Sequence, residues 1–309
     1  MLYCQAVFDR GAGLGTRLFP WARCVIFAHA NNIPMLAPQW VQPRVGPLVR
    51  GGLDLRAYHR QILLMGLFQH PHGTIRRLQK LHALLTSTRV KEPFRIGEAY
   101  GGVSTVGNAI VTFRGAGTLF ECLNGWDRFL LHALQEITRP GWLELVESFG
   151  GVPIGINVRL GNDFRVARSA EEYKTSGGLK TPMGWFVDSL RFVRDTIGYP
   201  ARALVVSDGT REELQPLLDL GNVEFVRPGC AISDLLILAR SQVLLASGGS
   251  SFSAWASFLG QMPTISHPGQ PMSWFNLLNR HGYHIGEFDT ALPNREFAEQ
   301  VRAILGDGR

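Results

Sequence analysis

The second half of the chain alternates apolar runs with helical stretches, and few folds accept that order. Ile154–Val158, Ala203–Val206, Val223–Val226, Val243–Ala246 and Pro263–Ser266 are short aliphatic runs. Helical periodicity fills the gaps: Met183 to Ile197, Arg211 to Leu220, Ser233 to Arg240 with Ser233 at the N-cap, and Phe252 to Leu259. Strands and helices alternating at this spacing predict a parallel, doubly wound sheet that Pro263–Ser266 closes. A last helix is expected from Pro293 to Leu305, with Phe297, Val301, Ile304 and Leu305 on one face.

The first half is less regular. Leu2 to Phe8 reads as a strand, followed by Gly11-Ala12-Gly13-Leu14-Gly15-Thr16-Arg17 and a helical apolar pattern reaching His29. A strand, a glycine turn and a helix invite a dinucleotide-binding reading, which fails on inspection. Thr16 stands at the third-glycine slot, and the next apolar run, Ile33 to Leu36, ends in Ala37-Pro38 without the acid that grips a ribose. A tight turn that lets backbone approach a ligand at a helix N-terminus survives, beside a plain strand–helix turn. Pro38 to Gly52 has loop composition, and Gln61 to Phe68 is a strand or a buried helix. Thr74 to Leu85 reads as a helix with Ile75, Leu78, Leu81, Leu84 and Leu85 on one face and Arg76, Arg77, Gln79 and Lys80 in solvent. Ser104 to Phe113 reads as a strand and Asp127 to Ile137 as a helix. Gly150-Gly151 with Pro153 marks the expected hinge, dividing 1–150 from 151–309.

Length supports two domains, since 309 residues exceed what one core usually serves. Hydrophobic content of 45% with 18% charged residues describes a globular chain and excludes disorder. No apolar run reaches the roughly 18 residues of a membrane span. Leu2 to Phe8 lacks the basic leader of a signal peptide. The four cysteines are scattered without a C-x-x-C pair, which argues against zinc and a disulfide framework and makes the cytoplasm the expected location. The net charge is +6, but the basic residues are spread evenly, so nucleic acid is not an expected partner.

Chemistry gathers where strands end. Ile154-Gly155-Ile156-Asn157-Val158 runs into Arg159-Leu160-Gly161-Asn162-Asp163-Phe164, placing Arg159 and Asp163 at a strand's C-terminal edge. Ligands of open parallel sheets bind at that edge, and an Arg there suits a phosphate; an Arg159–Asp163 pair stiffening a turn is the alternative. Ser207-Asp208 and Ser247-Gly248-Gly249-Ser250-Ser251 end two further strands. The Ser/Gly run precedes a helix, whose free N–H groups favour an anion, although Ser250 and Ser251 also read as caps. Asp208 reads either as an N-cap or as a carboxylate accepting two N–H bonds from guanine. Cation, carboxylate and anion cradle together describe a nucleotide-diphosphate site without a metal cluster.

These residues carry a resemblance. Asn157-Val158-Arg159-Leu160-Gly161-Asn162-Asp163-Phe164 resembles the H-x-R-x-G-x-D element of protein O-fucosyltransferases and the H-x-R-R-G-D element of bacterial α1,2-fucosyltransferases. Ser207-Asp208 is similar to their Ser/Thr-Asp pair, and Ser247 to Trp255 to their S-N-S-S-F-S-W-W stretch. Gly13-Leu14-Gly15-Thr16-Arg17-Leu18-Phe19 is similar to their N-terminal G-x-G-N-Q/R-L-F element. The four elements come in the family's order. Asn157 stands where the family has His, Leu160 where one branch has a second Arg, Thr16 where it has Asn, and Gly248 at another Asn position.

The resemblance implies an α/β, GT-B-type glycosyltransferase of two Rossmann-like domains with a cleft between them: an acceptor-side domain over 1–150 and a GDP-sugar domain over 151–309. It implies GDP-fucose or a related GDP-sugar as donor, inverting chemistry onto a glycan hydroxyl, and no cofactor or metal. Peripheral association with a membrane is compatible with it. Arg159 would hold the β-phosphate, Asp163 orient that arginine or the loop, and Asp208 read guanine. Asn157 would lie in the donor site, and Ser250, Ser251 and Phe252 would bind the pyrophosphate. Gly13 and Gly15 would admit the donor to the first domain's backbone, and the last helix would pack back across both domains. Asp9, Glu171 and Glu172 are the candidate general bases, each also readable as an ordinary surface acid. A non-catalytic nucleotide-sugar or glycan-binding protein is the rival reading, and a dinucleotide-dependent oxidoreductase the third.

Overall fold

The structure is a computed structural model that describes residues 1–9, 11–40, 66–71, 73–93, 95–98, 107–161, 164–227, 229–278, 280–292 and 294–306. The expected loop beyond Trp40, most of the Gln61–Phe68 run, residues 104–106, and Asp163 lie outside the described residues. The chain divides into two compact units, Met1–Leu143 and Glu144–Arg309.

Unit 1 is built on three parallel strands in the order β1 (Leu2–Val7), β3 (Ala109–Arg114), β2 (Thr88–Lys91). Its long helix α1 (Leu14–Asn31) buries Leu18, Phe19, Trp21, Ile26 and Phe27 completely and carries Pro20 inside its second turn. Arg23 of this helix is buried because Glu92 takes its Nε at 2.7 Å and the Arg114 carbonyl its Nη2 at 2.8 Å. Helix α2 (Arg77–Thr86) precedes β2, and α3 (Asp127–Ile137) leads to α4 (Pro140–Ser148), in which the division between units falls. Among the residues of α2 only Ala83 is buried, with Leu84 half-buried against Leu36 and Ile110. The expectation of a buried Leu78, Leu81 and Leu85 face is thereby corrected. Leu36 and Ile110 meet the opposite side of the helix, and those three leucines face solvent.

Unit 2 holds a six-stranded, wholly parallel sheet in the order β6-β5-β4-β7-β8-β9. The strands are β4 (Val152–Val158), β5 (Ala203–Ser207), β6 (Val223–Phe225), β7 (Ser241–Ala246), β8 (Thr264–Ser266) and β9 (Ile285–Glu287). Chain order runs outward from β4 through β5 to β6, then returns to the other side of β4 with β7. The strand order therefore reverses between β4 and β7, the arrangement of a doubly wound fold. Pro263–Ser266 was expected to close the sheet; β9 pairs beyond it, Ile265 opposite Gly286.

Both faces are covered, which is why these strands are apolar throughout. Ile154, Ile156 and Val158 point into a core with Phe186, Leu190 and Val193 of α5 (Met183–Ile197) and Phe297, Val301 and Leu305 of α8 (Arg295–Leu305). The apolar stripe of the last helix lies in this core, against α5 and Phe288. The opposite face carries α6 (Ala231–Ala239) and α7 (Ser251–Gly260). Gly155 lets α6 and β7 close on that face: a Cβ there would stand 2.0 Å from Ser241 Oγ and 3.2 Å from Leu238 Cδ2. The expected N-cap Ser233 is in fact the third residue of α6. Cys230 is the N-cap, and Ser233 Oγ accepts its backbone N–H at 2.9 Å. The expected helix over Arg211–Leu220 is reduced to one turn, Gln215–Leu218.

Candidate functional site

Two strand ends at the β4/β7 crevice are tied together by one hydroxyl. Ser247 Oγ, immediately after β7, donates to the Asn157 carbonyl at 2.9 Å and accepts the Arg159 backbone N–H at 2.9 Å. Arg159 therefore leaves β4 in a set direction. Its guanidinium Nη1 lies 2.9 Å from Asp208 Oδ2, the side chains being 25% and 8% exposed, and its Cζ stands 5.1 Å from the Phe164 ring centroid. Asp208 Oδ1 accepts the Leu160 N–H at 2.7 Å. Ser207 completes the β5 end by accepting the Gly209 N–H at 2.9 Å, and Arg227 Nη2 donates to the Ser207 carbonyl at 2.7 Å.

The glycine pair after Ser247 has two separate physical reasons. Gly249 sits at φ 66°, in the left-handed region that favours glycine. A Cβ on Gly248 would stand 2.1 Å from Gln270 Cβ and 2.7 Å from its carbonyl oxygen. Gln270 is buried and braced, accepting from Thr181 Oγ1 at 2.7 Å and donating to the Leu179 carbonyl at 3.0 Å. Ser250 is the N-cap of α7, its Oγ accepting the Ser253 N–H at 3.4 Å. A helix start leaves its first N–H groups without intrahelical acceptors, here those of Ser251 and Phe252. They open at the same sheet edge as Arg159, and the helix dipole adds partial positive charge.

Of the residues singled out in the sequence, Asn157, Arg159, Asp208, Ser250, Ser251 and Phe252 thus belong to one edge of one sheet. Asn157 is 1% exposed, and its Oδ1 has no hydrogen-bond partner. Gly13 and Gly15 open α1 of unit 1; a Cβ on Gly13 would meet nothing within 4 Å. Asp9, also in unit 1, is exposed. Arg17 is buried there, donating from Nε to the Ala12 carbonyl at 2.9 Å and from Nη1 to the Trp40 carbonyl.

The candidate bases in unit 2 fare differently. Glu172 is clamped by the Arg165 guanidinium and accepts the Arg168 N–H at 2.6 Å; the Arg165 hydrogen bond leads in holding its carboxyl down to about 2. Glu172 thus has a structural role, tying the Arg165 side chain to the Arg168 backbone. Glu171 is exposed, its carboxyl held low first by a hydrogen bond to its own backbone and then by Ser169.

Asp234 was not singled out in the sequence. It lies in the first turn of α6, beyond the end of β6, where burial pushes its carboxyl up to about 7 against the lowering influence of Arg227. Its Oδ1 is buried without a hydrogen-bond partner, and a Cβ on Gly229 would stand 2.4 Å from that oxygen. One acid in the otherwise apolar run Ala231-Ile232-Ser233-Asp234-Leu235-Leu236-Ile237 was the available signal. Buried carboxyl groups shifted this far cluster at functional sites. Among the described residues there is no group of three His, Cys, Asp or Glu that could hold a metal ion.

The fold and this edge define a Rossmann-like, doubly wound α/β unit with a crevice at the β4/β7 reversal. No protein-family model matches the chain, and no curated protein does. Solved structures do resemble it in fold. POFUT1 in complex with GDP is 12% identical, with a TM-score of 0.46 over 85% of this chain and 98% of that one. The NodZ α-1,6-fucosyltransferase soaked with GDP-fucose is 14% identical, with a TM-score of 0.46 over 86% and 94%. The fucosyltransferase NodZ from Bradyrhizobium gives 14% identity and the same TM-score over 86% and 96%. The NodZ neighbours are fucosyltransferases. The chemistry of the site follows from this chain's own residues.

Proposed function

We propose that the chain is an inverting glycosyltransferase of GT-B type that uses a GDP-sugar, GDP-fucose foremost, and transfers the sugar to a glycan hydroxyl. One observation carries this reading: Arg159, the Ser247–Ser251 loop and the start of α7 meet at the β4/β7 reversal, where doubly wound sheets bind nucleotides. The diphosphate would lie over the α7 N-terminus with its β-phosphate against Arg159. The acceptor oxygen attacks the anomeric carbon as the bond to the phosphate oxygen breaks. Arg159 neutralises the charge gained by the departing GDP, and the acceptor's proton passes to a base. Removing one such charge-assisted contact typically costs about 2–4 kcal/mol of transition-state stabilisation.

Base recognition falls to Asp234 in this reading. The oxygens of Asp208 already meet Leu160 N–H and Arg159, so its work is to hold the arginine. Asp234 offers a buried carboxyl oxygen on the β5–β6 flank of the crevice. The motif resemblance, not the sheet, favours guanine and fucose. Asn157 in place of the family's His favours a second reading, a GDP-sugar-binding protein without turnover.

Calorimetric titration with GDP, UDP and NAD, on wild type and Arg159→Ala, tests the donor site. Selective GDP binding lost in the variant is expected, followed by transfer from GDP-fucose in an acceptor screen. Absence of GDP binding would overturn both readings. Binding without transfer to any acceptor would leave the second.

A further inference from the structure

Helix α2 presents an apolar stripe to solvent. Leu78, Leu81 and Leu85, at i, i+3 and i+7, share one side of it and are 81%, 51% and 78% exposed. Three large aliphatic side chains grouped on one short helix differ from the scattered exposed apolar residues common on protein surfaces. The charge around them is one-sided. Between Gly73 and Glu92 the sequence has no carboxylate, while it has Arg76, Arg77, Lys80, Arg89 and Lys91. Among the described cations, Arg76, Arg77, Arg89 and Lys91 are exposed on the helix entry and on the edge strand that follows it. Lys80 is taken up by the fold, donating to the Ala37 carbonyl at 2.6 Å.

We infer that this face docks on an anionic lipid surface. An interfacial helix needs a stripe that enters the acyl boundary and cations that meet the headgroups, and α2 with its flanks supplies both. Charge complementarity selects the occupant. A second copy in a twofold contact would bring the exposed Arg76, Arg77, Arg89 and Lys91 toward their own copies. A bilayer carrying anionic lipid gains from every one of those cations, each Lys or Arg near the surface adding roughly fivefold to partitioning. The leucines set the depth of insertion and the arginines the preference for anionic headgroups. This inference is independent of the nucleotide site and stands or falls separately from it.

Sedimentation of the full chain with phosphatidylcholine vesicles, with and without phosphatidylglycerol, tests the inference. Binding should rise with phosphatidylglycerol and fall as salt is raised. L78Q/L85Q should weaken partitioning roughly tenfold or more even at low salt, and R76Q/R77Q should cut the preference for phosphatidylglycerol roughly 25-fold. Thermal melts matching wild type keep the comparison to the surface, since neither pair is buried. No sedimentation with anionic vesicles, or equal sedimentation of L78Q/L85Q and wild type, overturns the inference. So does a dimer in light scattering that L78Q/L85Q dissolves while wild type ignores vesicles; the face would then belong to a second copy.

Discussion

Arg159 Nη1 lies 2.9 Å from Asp208 Oδ2, so the cation at the end of β4 is aimed by the carboxylate at the end of β5. The pairing divides labour between two residues that sequence alone places merely at neighbouring strand ends. Asp208 also accepts the Leu160 N–H, which locks the turn after Arg159 to the same carboxylate. Arg159→Ala should weaken GDP binding roughly 10- to 100-fold, the equivalent of one charge-assisted contact of about 1.5–3 kcal/mol. Asp208→Asn keeps an acceptor for Leu160 but loses the ion pair. It should leave GDP affinity within a few fold while lowering kcat, because the arginine is present but less well aimed. Calorimetry and steady-state kinetics on the two variants check this split; equal losses of affinity would contradict it.

Two glycines flagged by the same sequence resemblance should behave oppositely. Gly248→Ala forces a Cβ against Gln270 Cβ and carbonyl oxygen, and overpacking of this kind typically costs about 1–3 kcal/mol. It should lower Tm and GDP affinity together, since the displaced loop is the anion cradle. Gly13→Ala meets open space at an ordinary φ of −70°, and its stability cost should stay below about 1 kcal/mol.

Arg194 carries a purely structural prediction. Its guanidinium is buried and donates to the carbonyls of Ala201, Leu220 and Asn222, at 2.9 to 3.1 Å, joining α5 to the loops that lead into β5 and β6. Arg194→Met keeps the apolar stem but leaves those carbonyls short of donors, each buried loss costing about 1–3 kcal/mol. Urea denaturation should show a loss of a few kcal/mol, and GDP affinity measured well below Tm should not change.

How much of this could be read in the sequence depended on the kind of signal. Arg159, Ser247 and Asp208 were legible because a parallel sheet brings strand ends to one edge whatever the strand order. The order itself was not: nothing in an apolar run says that β7 returns beside β4. Thr88–Lys91 is missing from the reading because an exposed edge strand of Thr, Arg, Val and Lys lacks the alternation of a half-buried one. The leucines of α2 illustrate the converse. Periodicity identifies an apolar side but not whether the fold covers it, and Leu36 and Ile110 lie beneath Ala83 and Leu84 instead. Asp234 was passed over because an acid near a helix start has an ordinary explanation in the macrodipole, and only burial separates the two cases.

That burial makes Asp234 the source of a specific pH dependence. Desolvation moves its carboxyl from the ordinary 3.8 up to about 7 in the folded chain. Between those values the native state holds a proton that the unfolded chain has released, so stability falls as pH rises from about 4 to 7. The Asp234 residue is half-buried although its Oδ1 is fully buried, so the decline should reach about 2 kcal/mol, short of the full amount for such a shift. Asp234→Asn does not titrate and should flatten that part of the stability profile in urea unfolding. Ligand binding should show the opposite slope. Two guanine N–H groups are best accepted by the ionised carboxylate, so GDP affinity should rise up to about tenfold per pH unit below 7 and level off above it, with proton release on binding. Calorimetry in buffers of different ionisation heat measures that release directly. A GDP affinity flat from pH 6 to 8 alongside a sloping stability profile would leave Asp234 buried and titrating but remove it from base recognition.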